Sequence, residues 1–141
     1  MTVRNGSAEW HGNVESGSGT VTVGDGVFEG PYSYDSRFGE GKGTNPEQLI
    51  AAAHASCFTM ALSLILGEAK LVAEQMDTSA EVTLEQVEGG FAITAVHLTL
   101  KAKIPGATQA QFEELAGKAK AGCPVSKLLK TDITLDAKLV S

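Results

Sequence analysis

The sequence contains little cysteine. Among its 141 residues only Cys57 and Cys123 carry a thiol, which is too few for a metal site built from cysteines alone. A fixed disulfide framework is rare in a reducing compartment. If the protein resides in such a compartment, the scarcity of cysteine favours a reactive role for one of the two.

Positive charge is scarce as well. Lys and Arg number 11 against 17 Asp and Glu, and the net charge of −6 is spread along the chain. Without a basic patch, we expect no nucleic-acid partner. The opening residues MTVRNGSAEWHG lack the apolar segment of a signal peptide, and the longest apolar stretch is interrupted by His54, Ser56 and Thr59. We therefore expect a cytoplasmic protein that does not enter a membrane.

The sequence also lacks repeats, linkers and low-complexity segments. With 43% hydrophobic residues the chain can bury one core, so we predict a single domain over residues 1–141. In the first third, TVTV and VF flank the turn signal Asp25-Gly26, which predicts a hairpin. The stretch YSYDSRFGEGKGTN, residues 32–45, is predicted to be a loop because three glycines lie between Phe38 and Thr44.

A long helix is predicted from Pro46 to Leu66. Asn45 suits the N-cap, and Pro46 suits the first helical position because its missing N–H would be unpaired there anyway. Gly67 can supply a left-handed stop.

A second hairpin is predicted after this helix. Val82 and Leu84 begin an alternating run, Glu88-Gly89-Gly90 turns it, and a long strand returns over Phe91–Ile104. The alternation of the returning strand breaks, which predicts a bulge near Ala95.

The last third predicts two helices and a strand. Thr108 and Gln111 form a capping box for a helix that ends at Gly122, and Pro124 opens a short helix. Strands and helices together predict one α+β unit. The apolar positions expected on single faces are Phe112, Leu115, Ala116 and Ala119 in the helix and Ile133, Leu135, Ala137 and Leu139 in the last strand.

Cys57 stands in the middle of the predicted long helix. At about 100° per residue it shares one side of the helix with Glu47 and His54. Mid-helix N–H groups are already bonded, so an external cation must stabilise a Cys57 thiolate. Arg37, on the preceding loop, is the nearest candidate in sequence. Glu47 would orient its guanidinium through a two-point hydrogen-bonded pair.

Each of these residues also has an ordinary structural explanation. Cys57 can fill space as a small hydrophobe, Glu47 can favour the helix dipole, and Arg37 can simply be solvated. His54, flanked by alanines, suits a core histidine better than a base or metal ligand, because no second His or Cys stands one turn away. The glycines of GEGKG do not match the spacing of a phosphate loop, so we expect no nucleotide cofactor.

Cys123 competes with Cys57 for the reactive role. It lies just before Pro124 at a helix N-cap, where local amides would lower the pKa of its thiol. Local chemistry alone therefore favours Cys123 as the thiolate.

Together these segments resemble a known family. The order of these segments is similar to that in the osmotically inducible protein C and organic hydroperoxide resistance family. The segments are AEWHG, then YSYDSRFGEGKGTNPEQLIAAAHASCFTMAL, then AGCPVSKLL and a final strand. The resemblance covers nearly the whole chain, and the place of Arg37 just before FGEG resembles the osmotically inducible branch. It implies an α+β fold with antiparallel strands packed around a long central helix, in an intertwined homodimer.

The resemblance implies a cysteine-based peroxidase. Cys57 matches the family's peroxidatic residue, Cys123 its resolving cysteine, and Arg37 and Glu47 its activating pair. An organic hydroperoxide would oxidise Cys57 to a sulfenic acid, Cys123 would close a disulfide, and an external dithiol such as a lipoyl group would reopen it. No metal and no bound cofactor are implied. The sites would lie at the subunit interface of the homodimer.

Two other functions stay open on the sequence. One is a redox-sensing thiol or small-molecule binding module without efficient turnover, and the other is a structural domain with two inert thiols. For the peroxidase we expect an apolar pocket that favours bulky hydroperoxides over hydrogen peroxide. The side chains expected around this pocket are Phe58, Met60, Leu62, Phe38 and Tyr34.

Overall fold

The computed structural model describes all residues from Met1 to Ser141. The chain forms two compact units, Met1–Leu49 and Ile50–Ser141, which are described in turn. That the two form a single domain stays a prediction.

The first unit is built on a three-stranded antiparallel sheet in the order β1-β2-β3. The predicted hairpin around Asp25-Gly26 is confirmed, and Gly24 and Gly26 adopt the left-handed conformation at its turn. Gly19 lets the rings of Trp10 and Tyr32 pack against each other across the sheet, because a Cβ at that position would collide with both rings. The strands are β1 (Gly6–His11), β2 (Ser18–Val23) and β3 (Phe28–Tyr32).

The stretch predicted as a loop contains a short helix, α1 (Tyr34–Phe38). The loop prediction is therefore wrong for these five residues. A capping box explains the helix: Ser36 N–H donates to Ser33 Oγ at 3.0 Å, and Ser33 N–H donates to Ser36 Oγ at 2.9 Å. Ser36 thus takes the place that Glu or Gln usually holds in this motif, and the glycines that suggested a loop lie beyond the helix.

The helix that carries Cys57 begins where predicted. α2 spans Pro46–Glu68, and the side-chain oxygen of Asn45 accepts a hydrogen bond from Gln48 N–H at 2.8 Å. Its end was predicted wrongly at Leu66 with a stop at Gly67. The helix runs through Gly67, and the left-handed residue is Lys70, with φ 63°.

The second unit contains a mixed sheet in the order β4-β5-β6. β4 and β5 form the predicted antiparallel hairpin, whereas β6 lies parallel to β5. The predicted bulge is confirmed, because the register shifts between Thr83, opposite Ala95, and Leu84, opposite Ile93. The further elements are β4 (Gln75–Val87), β5 (Gly90–Lys103), α3 (Gln109–Gly122), α4 (Pro124–Leu128) and β6 (Asp132–Val140).

The core of this unit lies between α2, α3 and one face of the sheet. All four apolar residues predicted for the stripe of α3 are buried, as are the alternate residues of β5 from Val96 to Ala102. Phe58 and Leu62 of α2 are completely buried among them. The burial of Phe58 and Leu62 fixes the rotation of α2 about its axis. It thereby fixes the direction of Cys57, which precedes Phe58 in the helix.

The opposite face of α2 is exposed in the single chain. Met60 and Leu64 are 76% and 67% exposed. By length and composition alone, α2 could also cross a membrane, although its polar interruptions predicted otherwise. A core helix of a soluble protein can have the same length and composition. These two properties therefore do not explain why one face of α2 is exposed.

Candidate active site

The two cysteines meet in the second unit. Cys123 Sγ lies 2.7 Å from Cys57 Sγ, and both thiols are free. Cys57 is partly buried and Cys123 is completely buried. Although they lie 66 positions apart in sequence, the fold places them within reach of a bond.

Cys123 is held at the junction of two helices. It is the C-cap of α3, where its N–H donates to Ala119 O at 3.0 Å, and it is also the N-cap of α4. Its thiol makes no capping hydrogen bond to α4. The hydrogen bond expected from the first turn of α4 to the Cys123 sulfur is therefore absent.

The N–H of Val125 hydrogen-bonds the sulfur of Cys57 instead. The sequence predicts that a free amide in the first turn of α4 contacts the Cys123 thiol. In the structure such an amide contacts the thiol of Cys57, on α2, instead. Val125 was missed as a site residue. Its signal is the run CPVS, because the N–H groups of a first turn have no partner within their own helix.

The environment of Cys57 disfavours its thiolate. Burial raises the pKa of the Cys57 thiol, and Cys123 raises it further through its hydrogen bond and its charge. The N–H of Val125 acts in the opposite direction, because a hydrogen bond to the charged form lowers a pKa. Within the second unit Cys57 is therefore a protonated thiol at neutral pH, and fast chemistry requires an added cation.

Arg37 and Glu47 meet in the first unit. Arg37 Nη2 donates to Glu47 Oε1 at 2.7 Å, and Arg37 Nε lies 3.1 and 3.2 Å from the two carboxylate oxygens. The two-point contact expected from the sequence is present. The Glu47 side chain is 10% exposed and that of Arg37 is 38% exposed, so a buried carboxylate holds a guanidinium that still reaches solvent.

An apolar pocket of about 260 Å³ lies beside Arg37. Tyr34 and Phe38 line it, as expected for a substrate pocket. The guanidinium carbon of Arg37 lies 5.3 Å from the centre of the Phe38 ring, a cation–π distance. The other lining residues are Trp10, Val14, Tyr32, Ser33 and Pro46.

Three of the residues expected around the pocket do not line it. Phe58 and Leu62 are completely buried in the core, because they fall on the face of α2 that packs against the sheet. Met60 lies on the exposed face of α2, in a groove with Met76 and Asp77 of β4. The sequence shows which residues of α2 are apolar. Which of them remain accessible depends on the face of the helix that packs against the core.

His54 is a buried residue of α2 with one clear partner. Its Nε2 lies 2.7 Å from Ser126 Oγ, and its Nδ1 has no hydrogen-bond partner. Burial lowers the pKa of His54, so its imidazole is neutral at neutral pH. This agrees with the core histidine expected from the sequence. No group of three or more potential metal ligands occurs in the structure, and the absence of a metal in the active protein stays a prediction.

The four candidate residues therefore form two pairs, one in each unit. The OsmC-like protein family matches residues 39–138 of this chain. The chain belongs to the OsmC-like protein family. Peroxiredoxin OsmC of Escherichia coli is 50% identical over 143 residues, with full coverage of both chains. An organic hydroperoxide resistance protein of Xanthomonas axonopodis is 36% identical over 98 residues, which cover 67% of each chain.

Solved structures of OsmC-like proteins show the same α+β fold. An organic hydroperoxide resistance protein OsmC from Legionella pneumophila matches with a TM-score of 0.72 and 29% identity over 100% of both chains. OhrB of Bacillus subtilis, an organic hydroperoxide resistance protein, matches with a TM-score of 0.68 and 26% identity over 96% of this chain and 98% of that one. The α+β, OsmC-like fold predicted from the sequence is thereby confirmed. The antiparallel arrangement that the resemblance implied is wrong for β6, which lies parallel to β5, and the intertwined homodimer stays a prediction.

Proposed function

We propose that this protein is a thiol peroxidase that reduces organic hydroperoxides to alcohols, and hydrogen peroxide more weakly. The observation that carries the proposal is the 2.7 Å separation of the Cys57 and Cys123 sulfurs. A pair of free thiols at this distance can pass between a dithiol and a disulfide with little movement of the chain. The names of the relatives, peroxiredoxin and organic hydroperoxide resistance protein, support the same chemistry.

Cys57 is the proposed peroxidatic residue. Its thiolate attacks one peroxide oxygen, an S–O bond forms, and the O–O bond breaks. The alkoxide takes a proton and leaves as an alcohol, so Cys57 becomes a sulfenic acid. Cys57 suits this role better than Cys123 because Cys123 is completely buried.

Cys123 is the proposed resolving residue. Its sulfur attacks the sulfenic sulfur of Cys57, the S–O bond breaks, and water leaves. The resulting disulfide is reduced by an external dithiol through exchange, for which a lipoyl group is our candidate. The cycle uses no bound cofactor and no metal.

Arg37 is the proposed cation for the Cys57 thiolate and the peroxide, with Glu47 as the residue that orients it. The raised pKa of Cys57 supports this role, because neither thiol nor the Val125 amide supplies a positive charge. A guanidinium fixed by two hydrogen bonds loses little freedom when it binds an anion.

We further propose a cytoplasmic homodimer in which a second copy covers the exposed face of α2. The exposure of Met60 and Leu64 supports an apolar contact. Each site would then be completed across the interface, as the family resemblance implies. Neither a nucleic acid nor a membrane is a proposed partner, in keeping with the net charge of −6 and the polar residues within α2.

One observation favours a second function, a redox-sensing thiol without efficient turnover. Burial raises the pKa of Cys57, and a mostly protonated thiol reacts slowly. Such a sensor would form the same disulfide at low rate and signal through it.

A turnover assay separates the two functions. Alkyl, aryl and hydrogen peroxides are supplied in parallel with a lipoyl dithiol or with thioredoxin as reductant, and steady-state consumption is measured. Sustained turnover with a dithiol is expected for the peroxidase. Stoichiometric oxidation that stops after one equivalent would support the sensor and contradict the peroxidase.

The same assay tests substrate preference. Each methylene that enters an apolar pocket contributes about 0.8 kcal/mol, and the pocket beside Arg37 is lined by aromatic rings. We expect a higher kcat/KM for bulky hydroperoxides than for hydrogen peroxide. Equal values would contradict a substrate role for this pocket while leaving the thiol chemistry intact.

A further inference from the structure

A buried hydrogen bond joins the helix of Cys57 to the helix that follows Cys123. His54, on α2, contacts Ser126, on α4, with Nε2 and Oγ 2.7 Å apart. His54 is completely buried and Ser126 is 9% exposed. Neither residue has a part in the proposed peroxide chemistry.

The position of this bond relates it to the thiol pair. His54 lies one turn before Cys57, so the two are neighbours on the helix surface. Ser126 lies one residue after Val125 and three after Cys123, the two residues that contact the Cys57 sulfur. The bond therefore fixes the short helix α4 against α2 at the place where both contacts to Cys57 are made.

α4 needs such an anchor. It has five residues, and Cys123 at its N-cap makes no capping hydrogen bond. A helix this short has little stability of its own. Its place over Cys57 must come from tertiary contacts, and a buried hydrogen bond such as that between His54 and Ser126 restricts position more than apolar packing does.

The protonation of His54 suits an anchor. Burial lowers the pKa of its imidazole, so it is neutral under assay conditions. A proton on Nε2, donated to Ser126 Oγ, leaves Nδ1 as an unpaired acceptor. The other tautomer would leave an unpaired buried donor, which is the rarer arrangement in proteins.

We propose that His54 and Ser126 are a positioning pair that holds α4 so that Cys123 resolves the Cys57 sulfenic acid before a second peroxide reaches it. This inference rests on the proposed peroxidase function. The pair would determine how much of the Cys57 sulfenic acid is resolved by Cys123 and how much is overoxidised by a second peroxide.

The two fates have different products. In resolution, Cys123 sulfur bonds to Cys57 sulfur, and the sulfenic hydroxyl leaves as water with the Cys123 proton. In overoxidation, a second hydroperoxide transfers one oxygen to the Cys57 sulfur, which gives a sulfinic acid and an alcohol. A shift of α4 displaces Cys123 and slows the first reaction, whereas the second reaction does not use Cys123.

The test measures this partition in Ser126→Ala. Reduced protein without reductant is mixed with increasing concentrations of an alkyl hydroperoxide, and sulfinic and disulfide chains are counted by intact mass. The slope of their ratio against peroxide concentration should rise about fivefold, the size expected from the net contribution of one hydrogen bond. An unchanged slope overturns the proposal. Ser79→Ala, the same change at an exposed position of β4, should match the wild type.

Variants of His54 separate positioning from folding. His54→Phe fills similar space without a hydrogen bond, whereas His54→Gln keeps a donor within reach of Ser126. We expect the first to raise the slope as Ser126→Ala does, and the second to restore most of the wild-type value. The double variant His54→Phe with Ser126→Ala should match either single variant, because both remove one interaction. Additive effects, or equal slopes for Phe and Gln, would overturn the pairing.

Failure of the proposed function gives a different result. If wild-type protein forms neither a disulfide nor a sulfinic acid with the hydroperoxide, the peroxidase proposal fails. If it forms the disulfide normally and the Ser126 variant partitions identically, only the positioning proposal fails.

Discussion

Cys57 is subject to opposing influences that set its reactivity. Burial and the neighbouring Cys123 raise the pKa of its thiol, whereas the N–H of Val125 lowers it. The raised pKa keeps the thiol protonated at neutral pH. A peroxidatic role therefore depends on a positive charge, for which Arg37, held by Glu47, is the proposed source.

Replacing Arg37 should raise the apparent pKa of Cys57. In Arg37→Met the thiolate loses its proposed cation, so peroxide reduction slows, and Glu47→Gln should have the same effect more weakly because the cation stays but loses its partner. The measurement is the rate of Cys57 alkylation against pH, in a Cys123→Ser background so that one thiol reports. Loss of an opposite charge should move the profile by about 1–3 pH units.

Arg4→Met is the matched control, because Arg4 is exposed and its guanidinium donates to the backbone oxygen of its neighbour Val3. Its alkylation profile should equal that of the unsubstituted protein. Unshifted profiles for both Arg37→Met and Glu47→Gln would contradict the role of the pair.

The two cysteines should give different phenotypes when each is changed to serine. Cys57→Ser should abolish peroxide reduction, because no nucleophile remains at the accessible position. Cys123→Ser should consume at least one equivalent and then accumulate sulfenic or overoxidised Cys57. Peroxide consumption and intact mass together make the measurement. Near-normal turnover in Cys57→Ser, or no first equivalent in Cys123→Ser, would show that the roles are reversed.

At the level of elements, a glycine-rich loop supports the helix that carries Arg37. Gly39 N–H and Gly41 N–H both donate to Asp35 O, at 2.9 and 3.2 Å. A Cβ on either glycine would collide with the Asp35 carboxylate. The glycines of GEGKG, which do not fit a phosphate site, thus allow the chain to fold back over α1.

Gly41→Ala should weaken activity without removing any reactive group. The added methyl displaces Asp35 or the loop, and Arg37 moves with α1. Because a displacement of about 1 Å can cost two orders of magnitude, we expect kcat/KM for an organic hydroperoxide to fall by about ten- to hundredfold. Gly67→Ala is the control, since a Cβ there meets no atom within 4 Å. Wild-type kcat/KM in Gly41→Ala would contradict the role given to this loop.

The boundaries of helices and strands can be predicted from the sequence where residues close in the chain determine them. The start of α2 is readable at Asn45 and Pro46, because a cap acts within one turn. Its end is not: Gly67 is compatible with a stop, but the chain continues to Glu68 and turns at Lys70. The bulge near Ala95 is readable because the alternation of apolar residues changes phase there.

The contacts of the candidate site depend on distant parts of the chain and were less predictable. The parallel pairing of β6 with β5 leaves no mark in the alternation of either strand. The amide of Val125 reaches Cys57 where α4 lies against α2, beside the contact between His54 and Ser126. Family resemblance, rather than local pKa arguments, favoured Cys57 over Cys123 as the nucleophile.

At the level of the whole molecule, the exposed face of α2 calls for a covering surface. A second copy is the proposed occupant, and Met60→Glu should weaken that association because it places a charge in an apolar contact. Sedimentation should show a dimer for the wild type and a larger monomer fraction for Met60→Glu, with activity falling in parallel.

Val72→Glu is the control for this substitution, since Val72 is 80% exposed and lies outside the helices and strands. It should sediment like the wild type. A wild-type protein that is monomeric at assay concentrations, or that partitions into lipid vesicles, would contradict the proposed homodimer.

Whether hydroperoxide oxidises Cys57 and Cys123 as a redox pair can be tested by one measurement. Reduced protein is treated with one equivalent of an aryl hydroperoxide, remaining thiols are alkylated, and peptides are mapped by mass spectrometry without reduction. We expect one alcohol released per chain and a disulfide between Cys57 and Cys123 of the same chain. Two results would contradict the redox pair: the hydroperoxide is not consumed, or it is consumed while both cysteines remain free to be alkylated afterwards.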